Sequence, residues 1–229
     1  MGWMSCSRSG TGHAALPDPR TVDKSVPEYK NPFHPSTYAH FVARKDYRKT
    51  YDVYKDDTLL NRQPKKSRKI FVCLDEQRGQ YLVDGLVAMD FPLSSGVKAY
   101  PTKTGDYAVI SKKEDHTSNL YGKMYDAEGK CINYNAESTD PVPEGGRFDG
   151  SPMPYWQRLT NAGLGLHVGK VRRHPVSHGC VRLPRNVAEI LYRQTSIGTP
   201  VTIQKTPLPV SEAQKIPPAQ QQESEGRKQ

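Results

Sequence analysis

Gln80-Tyr81-Leu82-Val83-Asp84-Gly85-Leu86-Val87-Ala88-Met89-Asp90-Phe91 is the stretch on which the fold turns. Two apolar runs of strand length flank Asp84-Gly85, a dipeptide that accepts the positive φ angles of a tight hairpin turn. The stretch reads as two antiparallel strands. Just upstream, Ile70-Phe71-Val72-Cys73-Leu74 is a β-branched and aromatic run that begins abruptly after the basic cluster Lys65-Lys66-Ser67-Arg68-Lys69. Downstream, Tyr107-Ala108-Val109-Ile110, Met153-Pro154-Tyr155-Trp156 and Leu164-Gly165-Leu166-His167 are further short runs separated by Gly- and Pro-bearing turns. Pro200-Val201-Thr202-Ile203 reads as a closing strand. Helical periodicity is confined to one place, where Asn186 and Glu189 read as a capping pair and Val187, Ile190 and Leu191 share a face. That helix is expected to end near Gly198. The fold class is therefore mainly β with one short helix.

Composition sets the boundaries. Hydrophobic residues make up only 35% of the 229, with 19 Pro and 18 Gly, so the core must be localised and the polar excess must sit in segments that need not pack. Residues 1–66 are Pro-, Lys- and Tyr-rich with short apolar pairs such as those in Thr37-Tyr38-Ala39-His40-Phe41-Val42, and read as an extended basic arm with at most a helical turn. Residues 67–204 carry the strand signals and read as the folded domain. Residues 205–229 hold too few apolar side chains to fold alone and read as a disordered polar tail.

Lys and Arg outnumber Asp and Glu by 33 to 24, and the resulting +9 favours an acidic partner without choosing among nucleic acid, membrane surface or a carboxylate-rich polymer. Cys6, Cys73, Cys131 and Cys180 are far apart, with no Cys-x-x-Cys pair, which weakens zinc-ribbon, thioredoxin and disulfide-framework readings. No apolar run approaches the roughly 20 residues of a membrane span, and Met1-Gly2-Trp3-Met4-Ser5 is too short for a signal-peptide core. Membrane attachment is expected only if Cys6, preceded by the small Ser5, is a lipidation site.

Chemistry concentrates between His167 and Pro184, where three of the seven histidines, one cysteine and several arginines share eighteen positions. A thiol attacks a carbonyl only as thiolate, and needs a neighbouring imidazole or positive field for ionisation at neutral pH. His167 and Arg182 have the right chemistry for both. Gly179, immediately before Cys180, lets the backbone bend so that successive amide N–H groups can face the oxyanion of a tetrahedral intermediate. The spacing fits acyl transfer.

Ser177-His178-Gly179-Cys180-Val181-Arg182-Leu183 resembles the S/T-H-G-C signature of the L,D-transpeptidase catalytic domain, also called the YkuD domain. Gln77 to Gly85 resembles that family's opening hairpin, Ser95-Gly96 and Pro101-Thr102-Lys103-Thr104-Gly105 resemble its S-G and P-T-x-x-G elements, and Gly198-Thr199-Pro200-Val201 resembles its ending. The resemblance runs from about Ile70 to Ile203. It implies an L,D-transpeptidase-like β-sandwich or barrel with one short helix after the catalytic cysteine. His167 occupies the place of the family's base, thirteen positions before Cys180, a gap shorter than in many members because the loop from 169 to 176 is short.

The resemblance implies a peptidoglycan L,D-transpeptidase. Cys180 would attack the carbonyl of the L-centred diamino acid in a stem tetrapeptide, release D-alanine and pass the acyl group to an amine of a second stem. His167 would be the base, oriented by a backbone carbonyl such as that of Val168. Backbone N–H groups at His178, Gly179 and Cys180 would form the oxyanion hole, Ser177 would brace the loop and Arg182 would hold a substrate carboxylate. Tyr155 and Trp156 would wall the pocket. Neither cofactor nor metal is implied. The partners would be peptidoglycan stem peptides or a lipoprotein acceptor, with the chain a monomer in the cell envelope, periplasmic or exported. L,D-carboxypeptidase or lipoprotein-anchoring activity on the same site is the alternative.

Other classes compete less well. A metal-binding module of His167, His174, His178 and Cys180 has suitable atoms but no recognised zinc spacing. A nucleic-acid module fits the charge, yet the basic residues are dispersed. A papain-like peptidase would have its cysteine before its histidine, and the local S-H-G-C text does not suit a sortase. Cys73 reads as core, Cys131 as a turn residue, and His116 as a solvated surface histidine.

Overall fold

The computed structural model describes residues 16–63, 67–211 and 214–215. Cys6 and most of the C-terminal tail lie outside the described residues. The chain divides into two compact units, Met1–Lys45 with Pro209–Gln229, and Asp46–Leu208.

The first unit carries α1 (Tyr38–Ala43), the helical turn anticipated in the arm. The Thr37 side chain caps it by accepting from the His40 N–H. Carbonyls near its C-terminus accept from side chains: His40 from Asn31, Val42 from Lys24 and Ala43 from Tyr29, at 2.7–2.9 Å.

The second unit follows in chain order. It opens with β1 (Tyr54–Lys55), α2 (Asp57–Asn61), β2 (Arg68–Cys73), β3 (Arg78–Val83), β4 (Leu86–Pro92) and β5 (Gly105–Ala108). Next come β6 (Ser111–Lys113), β7 (Thr117–Tyr125), β8 (Cys131–Glu137), β9 (Arg147–Pro152), β10 (Trp156–Arg158) and β11 (Gly165–Val168). It closes with β12 (Val181–Leu183), α3 (Arg185–Gln194) and β13 (Pro200–Gln204). A six-stranded sheet has the order β1-β4-β3-β2-β13-β5, a four-stranded sheet β12-β11-β10-β6, and a three-stranded sheet β8-β7-β9.

The fold is mainly β, as the sequence implies. The β3–β4 hairpin forms around Asp84 and Gly85 with φ of 52° and 83°, the double left-handed turn that Asp-Gly favours. One core joins the two larger sheets to α2 and α3: Leu60, Ile70, Val72, Phe91, Leu166, Leu183, Leu191 and Ile203 are buried together. Each such side chain stabilises the fold by about 1.5–3 kcal/mol relative to exposure.

Three expectations change. Pro184, not Asn186, is the N-cap of α3 and makes no side-chain cap bond, while Asn186 is the second residue of the helix and accepts from the Val187 N–H. The helix ends at Gln194, short of Gly198. Residues 46–63, read as arm, lie in the second unit: β1 pairs with β4, the Asp56 carboxylate caps α2, and Leu59 and Leu60 enter the core. Two adjacent leucines in a polar stretch are too short a run to register as periodicity.

Candidate active site

Strands β11 and β12 run parallel, pairing Leu166 with Val181, His167 with Arg182 and Val168 with Leu183. Side chains alternate along a strand, so Leu166, Val181 and Leu183 go to the core while His167 and Arg182 share the opposite face. Cys180 immediately precedes β12. His167, Cys180 and Arg182 all line one cavity of about 770 Å³.

Burial sets the protonation states. The His167 ring, 6% exposed, has its pKa lowered to about 4, first by desolvation and then by the charges of Arg182 and His116, against a raising contribution from its bond to Val168. The imidazole is neutral at pH 7. Its Nδ1 lies 2.8 Å from the Val168 carbonyl, which can only accept, so Nδ1 carries the proton and Nε2 keeps its lone pair. Burial likewise pushes the Cys180 thiol up, partly offset by a backbone hydrogen bond from Gly165 and by the Arg182 charge. The thiol donates to the Gly163 carbonyl at 3.3 Å. The resting pair is thus a neutral thiol with a neutral imidazole rather than a preformed thiolate.

The cysteine loop is braced from several sides. Ser177 Oγ accepts from the Gly179 N–H at 3.1 Å and donates to the Cys180 carbonyl at 2.5 Å. Thr102 Oγ accepts from the Gly96 N–H at 2.8 Å and donates to the Gly179 carbonyl at 2.6 Å, so the S-G and P-T elements of the sequence meet at the loop. Gly179 has φ of 111°, a conformation side chains rarely adopt. A Cβ on Gly96 would lie 2.1 Å from the Tyr100 carbonyl oxygen and 2.8 Å from the Gly179 Cα, so the approach needs glycine. Thr102 was not singled out from the sequence, although the P-T motif that contains it was.

The other expected residues separate. Trp156 is buried, lines the cavity and stands 6.0 Å from the His167 ring. Tyr155 does not line it: its ring packs edge-on to Tyr192 of α3 at 5.6 Å, with the Arg185 guanidinium 5.9 Å from its centre. Tyr155 sits in the turn that leads into β10, with φ of 56°, while Trp156 opens the strand, so one aromatic faces the helix and the other the pocket. His178 is exposed, its ring stacked on Tyr121 at 4.3 Å and 4.8 Å from Tyr100. His174 is exposed on the loop. His116, expected in solvent, stacks on Trp156 at 5.0 Å and lines the cavity.

Sequence reasoning missed the far wall. Ser118, Leu120, Tyr121, Tyr134 and Ala136 of β7 and β8 line the cavity. β7 shows no alternation of burial, and consecutive residues from Ser118 to Gly122 line the cavity, so the period-two signal is missing. Among the described lining residues, Lys103, Arg158, Lys170 and Arg182 are cationic and none is Asp or Glu. Among the described residues no group of three or more His, Cys, Asp or Glu side chains is set to hold a metal ion.

Residues 67–203 match the model of the YkuD family, the L,D-transpeptidase catalytic domain. A probable L,D-transpeptidase 3 of Mycobacterium tuberculosis is 32% identical over 121 residues, 50% of this chain but only 38% of that protein. An L,D-transpeptidase from Mycobacterium smegmatis shares 22% identity at TM-score 0.46, over 60% of this chain and 58% of that one. The catalytic domain of the E. faecium L,D-transpeptidase shares 27% at TM-score 0.44, over 61% and 98%. With the family match spanning more than half of its 229 residues, the chain belongs to the L,D-transpeptidase catalytic domain (YkuD) family.

Proposed function

We propose that this chain is a cysteine-dependent peptidoglycan L,D-transpeptidase, with Cys180 as nucleophile and His167 as base. The observation that carries the reading is that a neutral imidazole on β11, with Nδ1 tied to Val168, and the Cys180 thiol just before the paired strand β12 line one cavity. The cationic, acid-free wall suits a substrate rich in carboxylates.

His167 Nε2 takes the Sγ proton as sulfur attacks the carbonyl carbon of the L-centred diamino acid. A C–S bond forms and the carbonyl electrons move onto oxygen. With the Gly179 N–H turned to Ser177, the N–H groups of His178 and Cys180 are the donors for that oxyanion, each contributing about 3 kcal/mol. The C–N bond to D-alanine then breaks, and the imidazolium returns its proton to the leaving amine. An amine of a second stem attacks the thioester, the C–S bond breaks, and the amine proton returns through His167 to sulfur. Arg182 holds a substrate carboxylate and Trp156 bounds the pocket.

Water as acceptor would make the same site an L,D-carboxypeptidase, and a lipoprotein lysine would make it an anchoring transferase. Mass spectrometry of muropeptides after incubation with tetrapeptide stems separates these outcomes; products unchanged from input, with no D-alanine released, would overturn the reading. The substrate would place the chain in the cell envelope. Among the described residues no helix is long and apolar enough to cross a membrane.

A further inference from the structure

The loop from 169 to 176 links the proposed base to the proposed nucleophile. Arg173 near its middle has φ of 59°, a left-handed backbone that costs a residue with a side chain roughly 1–2 kcal/mol. Its own side chain accounts for the hold. The guanidinium donates to the carbonyls of Arg48 and Thr50, and to that of Glu76 at 2.9 Å.

A second guanidinium meets the same segment. Arg78 on β3, 1% exposed, donates to the Thr50 carbonyl at 3.2 Å, to the Asp52 carbonyl at 2.9 Å and to the fully buried Asp90 carboxylate. Tyr47 lies against Arg78, 4.8 Å from ring centre to guanidinium, and donates its hydroxyl to Asp90 at 2.9 Å. The Lys49 and Thr50 N–H groups both donate to the Asp46 carbonyl at 2.7 Å, closing a turn. Residues 46–52 thus present a set of carbonyl acceptors to two arginines, a task for a planar fork of donors that a lysine ammonium does not reproduce.

The far end of the loop is tied to the cysteine turn. The Arg172 N–H donates to Ser94 Oγ at 2.8 Å, and the N–H groups of Val176 and Ser177 donate to the Ser95 carbonyl at 2.8 and 3.0 Å. Ser177 in turn bonds the Cys180 carbonyl. Hydrogen bonds joined by single peptide links at 172–173 and 94–95 therefore connect residues 46–52, through Arg173, to the backbone that carries Cys180.

We infer that Arg173 is a positioning residue for the Cys180–His167 pair, and that residues 46–52, upstream of the stretch matched by the family, are the anchor through which it acts. The inference rests on the proposed roles of Cys180 and His167. It also means that the working catalytic unit begins near Asp46 rather than at residue 67.

The test uses the full chain with Arg173→Gly, which accepts the left-handed backbone without the guanidinium, and Arg173→Lys, which keeps the charge without the fork. Three quantities are read: melting temperature, the rate of acylation of Cys180 by a carbapenem, a reactivity that the L,D-transpeptidase family implies, and the pH profile of Cys180 alkylation by iodoacetamide. The expected result for Arg173→Gly is a ten- to hundred-fold slower acylation with a displaced alkylation profile, the scale of loss from misplacing reacting groups by about an ångström. Amide exchange should quicken together at residues 46–52 and 174–178, and Arg173→Lys should recover only part of the rate. A folded Arg173→Gly chain with unaltered acylation and alkylation profile overturns the inference. Should that variant not fold, Arg173→Lys decides by the same criteria. Failure of the unaltered chain to react at Cys180 with either reagent would instead count against the proposed function.

Discussion

The parallel pair β11–β12 and the three-stranded sheet β8-β7-β9 face one another across the same cavity but are held in opposite ways. In the first, Leu166, Val181 and Leu183 are wholly buried and join the central core. In the second, Leu120 is 47% exposed, Ile132 49% and Tyr134 68%, and the pairing of β7 with both neighbours carries register shifts. The proposed nucleophile and base sit where burial over-determines the backbone. The wall that would meet a variable peptide sits where few buried contacts hold it, the usual character of regions with low local stability.

The sharpest break of this comparison is at the chemical pair. Cys180→Ala should give no carbapenem adduct by intact-mass measurement, and His167→Ala should slow adduct formation by about 10²–10⁴-fold. Comparable losses from Tyr134→Ala or Leu120→Ala would move the essential chemistry to the outer sheet. In stability the contrast should be as clear: Leu166→Ala should cost about 2–5 kcal/mol in urea unfolding, whereas Leu120→Ser should stay within about 0.5 kcal/mol.

A pH series sharpens the same point. His167 titrates near 6.5 unfolded and at about 4 folded, so the unfolded chain binds the extra proton across that interval. The stability from keeping the ring neutral is fully present above about pH 6.5 and is lost as pH falls toward 4, an amount of roughly 3 kcal/mol. Denaturant midpoints from pH 7 to pH 4 should show it, and His167→Gln should remove it. Acylation should likewise persist to about pH 5 and fall only as the ring protonates.

Smaller effects belong to recognition. Arg182→Ala should lower kcat/KM for tetrapeptide stems by about ten- to hundred-fold, the worth of a charge-assisted hydrogen bond. Tyr121→Ala removes the ring stacked on His178, and the change should be several-fold in kcat/KM with an unchanged melting temperature, given about 0.5–1.5 kcal/mol for such a contact. A larger loss of melting temperature than of kcat/KM would make the outer sheet a structural support rather than a substrate wall.

Much of the site was legible because its signals are local. Asp84-Gly85 encodes its turn in two residues, and the strand from Leu164 to His167 and the S-H-G-C text each lie within a few positions. The Val168 carbonyl, expected to orient His167, bonds its Nδ1 in the structure. The reading failed where a residue's role depends on what folds against it. Tyr155 and Trp156 are adjacent and alike, and only the twist of the chain between β9 and β10 decides which one meets the cavity. His116 has charged neighbours in sequence and an indole face in space.

The sequence by itself determined the strand runs, the hairpin turn and the residues proposed as nucleophile and base, since those depend on residue type and spacing along the chain. Only the tertiary structure decided that the thiol and imidazole rest uncharged, that β7 and β8 line the pocket, and that residues 46–52 fold into the second unit. Desolvation and hydrogen bonding act between atoms brought together from distant positions, and no local pattern records which distant groups will arrive.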